Sequence, residues 1–129
     1  MTDKYTEIRG DKTRVALSET RDCAVIALAI LTGLPYAIAH REMKSEGRKD
    51  RGSSDLRMLM SALSRCWLRG MERTPIKGIT VATFHKRMAG STGRYLIRTS
   101  GHVAAFVDGQ VQDWTQDRRH RIIEVYKLK

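Results

Sequence analysis

The sequence predicts an α+β domain in which N-terminal helices pack on a C-terminal antiparallel sheet, and three observations lead there. Ala24 to Leu31 is apolar at every position, which suits a helix buried on all sides. Apolar residues recur at helical spacing in the first two thirds of the chain, and after Met88 the period changes to two. Asp108-Gly109 separates two apolar runs, the signature of a two-residue type I′ hairpin. At 129 residues the chain is expected to be one domain, 1–129, with a core that needs no disulfide or metal staple.

Each element follows in order. The start, MTDKYTEIRGDKTR, is charged throughout and has no apolar core of a signal peptide, so residues 1–18 are expected as a flexible or extended segment. Asp22 is a good N-cap, which puts Cys23 in the first turn of the apolar helix. Gly33 stops that helix, and Pro35 can open a second one at its first position, running to about Ser45 and ending at Gly47. GRKDRGSS, residues 47–54, reads as an exposed loop. Ser53 or Ser54 then caps a third helix with Leu56, Leu59, Met60, Leu63 and Trp67 on one face, and Cys66 beside that stripe reads as core packing. Residues 70–79 read as a connection with a short strand. Thr80 caps a short helix over Val81 to Met88, closed by Gly90. Tyr95 to Thr99, His102 to Val107, Gln110 to Trp114 and Ile122 to Leu128 read as strands, and HVAAFV is apolar on both faces, as a strand covered from both sides should be.

Charge narrows the function classes. There are 24 Lys and Arg against 14 Asp and Glu, a net charge of +10. Residues 74–107 carry Lys77, Lys86, Arg87, Arg94 and Arg98 with no acid at all. Such a field attracts an acidic protein surface or nucleic acid. No nucleic-acid-binding motif accompanies it, so nucleic acid is the less favoured partner. Nothing approaches the roughly 18 apolar residues of a membrane span. Two cysteines outside any CxxC pair leave zinc and thioredoxin-type chemistry unsupported and point to a reducing cytoplasm; no cofactor or metal is called for.

One pair of features carries chemistry. Unpaired N–H groups and the positive end of a helix favour a thiolate at Cys23, whose pKa can fall from about 8.5 to roughly 3.5–7.5 beside a cationic partner. A buried cysteine often only fills space, so a base is needed to make it a nucleophile. His102 supplies one at the start of its strand. Counting out from the hairpin turn, Asp113 on the partner strand comes close enough to orient the imidazole. His40, His85 and His120 read as surface residues. Arg48, Lys49 and Arg51 are candidates for contact with substrate or an anion.

The run DCAVIALAILTG, with GRYLIRTSGHVAAFVDGQVQDW near the far end, resembles papain-like cysteine peptidases, especially the bacteriocin-processing (double-glycine leader) peptidases and related short proteins of phages and bacteria. Thr32-Gly33 after the helix, Gly47-Arg48-Lys49 in the loop, and the G-x-Y-x-I pattern from Gly93 to Ile97 are similar to the small phage-type members. The resemblance implies a papain-like fold with Cys23 as nucleophile, His102 as general base and Asp113 as its orienter. It also implies a peptidase, amidase or isopeptidase acting on a protein or peptide, in the host cytoplasm if phage-encoded. One position departs from the family: the Gln expected about six residues before the cysteine, a donor to the oxyanion hole, is Leu17 here. Ser18 and Thr20 are candidates to replace it. Losing one such donor costs about 10²–10³ in kcat, which leaves a second reading, a catalytically idle binder of an acidic host protein or nucleic acid.

Overall fold

Eight consecutive apolar residues have no face to offer water, and α3 (Cys23–Thr32) offers none: Ala24 through Leu31 are all buried. Around this helix the computed structural model, which describes residues 3–129, builds an α+β architecture. Helices α1 (Asp3–Arg9), α2 (Lys12–Ala16), α4 (Tyr36–Ser45) and α5 (Leu56–Cys66) precede strand β1 (Met71–Arg73), and α6 (Val81–Arg87) precedes β2 (Arg94–Thr99). Strands β3 (His102–Val107), β4 (Gln110–Gln112) and β5 (Ile122–Leu128) complete an antiparallel sheet in the order β1-β5-β2-β3-β4.

The two-residue period of the strands divides the core in two. Leu96, Val103, Ala105 and Val107 pack with α3 and α5 on one face. Tyr95, Ile97, Ala104, Phe106 and Val111 meet Val81 and Phe84 of α6 on the other, with Phe84 and Phe106 edge to face at 5.1 Å. That cover on both sides is what HVAAFV required. The hairpin forms at the expected place: Val107 pairs with Gln110, and Asp108 and Gly109 have φ of 51° and 83°, both positive as type I′ demands. Only glycine fits the second position, because a Cβ there would lie 2.3 Å from the Ala89 carbonyl oxygen.

Several boundaries differ from expectation. The segment expected as flexible or extended holds α1 and α2 instead; its first two residues lie outside the described region. Asp11 caps α2, its carboxylate accepting from the N–H of Thr13 and Arg14. Asp55, not Ser53 or Ser54, caps α5 through a 2.9 Å bond from the Met58 N–H. Pro35 stands at the N-cap of α4 rather than inside it. Strand β4 stops at Gln112, two residues early, because Asp113 turns back on the following chain. Among the described residues no single helix is long and apolar enough to cross a membrane; α3 and α4 together have the length but are bent by 119°.

Candidate active site

Cys23 is the first residue of α3 and half-buried. Its sulfur lies beside the His102 ring and the Val103 N–H, near enough for both to act on the thiol, and Cys23 and His102 line the same hollows. The contact exists because α3 packs directly on β3, so the head of the helix meets the start of the strand. His102 is the first residue of β3, after the turn at Ser100-Gly101, and its Nε2–H donates to Asp113 Oδ2 at 2.7 Å. With Nε2 committed to the carboxylate, the ring nitrogen left for the sulfur is Nδ1.

Asp113 is buried, and one of its carboxylate oxygens takes three bonds. Besides His102, its Oδ2 accepts the Thr115 N–H at 3.1 Å and the Thr115 hydroxyl at 2.6 Å. Sequence reasoning does not single out Thr115. The spacing Asp-x-Thr is its available signal, since a carboxylate commonly bonds the backbone two residues on. Trp114 is half-exposed and lies over the His102 ring, centroids 5.2 Å apart.

The electrostatics favour an ion pair. Burial alone would push the Cys23 thiol up, but the His102 hydrogen bond and the Val103 N–H outweigh it and hold the thiol below its ordinary value. Burial alone would likewise lower the His102 imidazolium, and the bonds to Asp113 and Cys23 overcome it, raising His102 to about 9. Around neutrality both shifts favour thiolate and imidazolium. A thiolate beside an imidazolium that a carboxylate orients is a nucleophile with a proton donor next to it.

Two hollows flank the sulfur. The larger, about 580 Å³, is walled by Arg9, Arg21, Thr20 and Trp114 among others; the smaller, about 220 Å³, by Leu56, Leu59, Arg98 and Thr99. Cys23, His102, Gly101 and Ser54 belong to both, so the reactive pair sits at the waist of a continuous cleft. Of the two candidate oxyanion donors, Thr20 lines the larger hollow, whereas Ser18 is exposed with φ of 54° and does not. Leu17 closes α2 and its carbonyl accepts from Arg51 at 3.4 Å. Asp22 occupies the N-cap position of α3 without capping it: its carboxylate is held by Arg14 and the Tyr36 hydroxyl.

The basic loop is placed differently from the sequence expectation. Arg48 is buried, not exposed, and grips both oxygens of Glu19 at 3.1 and 2.7 Å, so it is taken out of substrate or anion contact. The backbone N–H of Arg51 also donates to Glu19, and its guanidinium bonds Leu17. Lys49 is exposed, and neither it nor the other two lines the cleft. His40, expected at the surface, is buried and donates to Glu19 Oε2 at 2.8 Å. His85 and His120 are half-buried, His120 edge-on to Trp114 at 5.1 Å. Glu19, His40 and Asp50 are close enough to share a cation, but Arg48 already occupies the carboxylate, and the group reads as an ion-pair cluster. Cys66 is half-buried against the helical core, its thiol pushed up by burial, as a packing cysteine should be.

Comparison with known proteins adds no relative: no family model matches the chain, and neither a curated protein nor a solved structure does. What the site defines, it defines by its own geometry.

Proposed function

We propose that this protein is a papain-like cysteine hydrolase in which Cys23, His102 and Asp113 act as a catalytic triad on a protein or peptide. The observation that carries the reading is the Cys23 sulfur set beside the His102 ring in one cleft, with the buried Asp113 holding that ring at 2.7 Å. The thiolate attacks an amide, isopeptide or thioester carbonyl, forming a C–S bond and moving the carbonyl electrons to oxygen. N–H groups at the head of α3, left uncapped by Asp22, steady that oxyanion, with Thr20 as a further donor. The tetrahedral adduct collapses, the bond to the leaving group breaks, and His102 gives that group its proton. A water then surrenders a proton to His102, attacks the thioester, and the acid product departs with the thiolate restored.

The test uses an activated ester, p-nitrophenyl acetate, with intact mass to detect the acyl-enzyme and iodoacetamide to measure thiol reactivity. Cys23 should acylate and alkylate well below pH 8, far faster than Cys66, and Cys23→Ala should abolish ester turnover with the fold intact. Turnover retained in that variant, or equally sluggish labelling of both cysteines, overturns the reading and leaves a basic binding domain in its place.

A further inference from the structure

The larger hollow holds more charge than the triad uses. Its acids are Glu19, Asp22 and Asp113, and each is already matched: Glu19 by Arg48 and His40, Asp22 by Arg14, Asp113 by His102. Two cations in the same wall have no such match among the described residues. Arg21 is exposed and makes no ion pair among the described residues. Arg9 is exposed too, its guanidinium resting over the Tyr5 ring at 5.7 Å and donating to the Tyr5 hydroxyl at 3.3 Å. Tyr5 is itself pinned, because the N–H groups of Lys4 and Tyr5 donate to Gln112 Oε1 at 3.1 and 3.2 Å and so dock α1 on β4. Arg9 is therefore carried on an element fixed to the hairpin that bears His102 and leads into Asp113.

We propose that Arg9 and Arg21 read a carboxylate, so that the substrate is an acidic peptide segment whose Asp or Glu side chain lies in the larger hollow beside the attacked carbonyl. This rests on the hydrolase reading above and names its substrate class. A guanidinium fork matches a carboxylate in shape and charge. The wall that reads the anion is thus α1 and the segment before α3, not the loop around Arg48.

The experiment is protection of Cys23 from iodoacetamide by two hexapeptides blocked at both ends, hexaglutamate and hexaglutamine, with Cys66 as internal reference. The glutamate peptide should slow Cys23 alkylation about tenfold at saturation and the glutamine peptide should not, with protection fading as salt rises. In R9Q/R21Q, its fold checked by circular dichroism, the glutamate peptide should lose that effect, and R9K/R21K should restore part of it. Equal protection by both peptides, no protection, or protection that survives in R9Q/R21Q overturns the inference while a fast Cys23 keeps the hydrolase reading. A Cys23 that alkylates no faster than Cys66 without peptide removes the hydrolase reading and this one with it.

Discussion

Arg14 holds the Asp22 carboxylate in a two-pronged grip, Nε at 2.8 Å and a terminal nitrogen at 3.2 Å, and turns it away from the helix it precedes. An aspartate at an N-cap ordinarily bonds the first-turn N–H groups. Here that role is given up, and the positive end of α3 stays open next to Cys23. Arg14→Ala frees the carboxylate beside the thiolate. Cys23 should then need a higher pH for alkylation by iodoacetamide, and stability should fall by about 3 kcal/mol in urea unfolding, because a buried acid loses its partner.

The coupled shifts at Cys23 and His102 set a pH profile. Iodoacetamide labelling of Cys23 should rise at lower pH than that of Cys66, since the Cys23 thiol is held below its ordinary value and the Cys66 thiol is pushed above it. His102→Ala should slow labelling at pH 6.5 by at least about tenfold, as a bare thiol near 8.5 is then nearly all protonated. Amide hydrolysis should fall again as His102 loses its proton near pH 9, where no acid remains for the leaving amine. Alkylation needs no acid and should not fall there. A raised pKa also means that the stability His102 contributes is full below about 6.5, its ordinary value, and is lost as pH rises through about 9.

Asp113 and Thr115 should separate in effect. Asp113→Asn removes the charge that supports the imidazolium, and kcat/KM for ester hydrolysis should drop by about 10²–10⁴. Thr115→Val keeps the charge and one backbone N–H, and should cost about tenfold with the alkaline limb of amide hydrolysis displaced. Equal losses in the two variants, measured on the same ester, would show that Asp113 acts only as a structural anchor.

Glu19 predicts acid sensitivity distinct from the triad. Burial raises its carboxyl, but Arg48, the Arg51 N–H and His40 more than reverse this and bring it down to about 2. A depressed carboxyl stabilises the fold above its unfolded value near 4.5, and that contribution is lost as pH falls from there toward about 2. Unfolding followed by circular dichroism between pH 5 and 2 should therefore show a steep loss in the wild type. Glu19→Gln should be less stable at pH 7 by about 3–5 kcal/mol and flatter across that range.

Local chemistry is legible in the sequence, and distant polar pairing is not. The apolar run behind Cys23, the Asp108-Gly109 turn and the register that brings Asp113 to His102 depend on neighbours within a few residues, or on counting along a hairpin, and each has its counterpart in the structure. Arg48 and His40 depart from expectation for the opposite reason. A polar side chain reads as exposed until its partner is known, and Glu19 lies 29 and 21 residues away from them. The short helices α1 and α2 escape the sequence pattern because each is too short to repeat an apolar stripe; α1 sets only Tyr5 and Ile8 on the core and is held also by Gln112, more than a hundred positions on. The basic loop attracts attention by composition, while the arginines that line the larger hollow are scattered singly through the segments ahead of α3.

Cys23 leaves the ribosome before its two partners, and His102 and Asp113 follow 79 and 90 positions later. A nascent chain therefore carries an ordinary thiol until the distant hairpin has docked against the helix. On the hydrolase reading proposed above, reactivity is switched on only late in assembly, and the sulfur would then double as a built-in gauge of whether the molecule has finished folding.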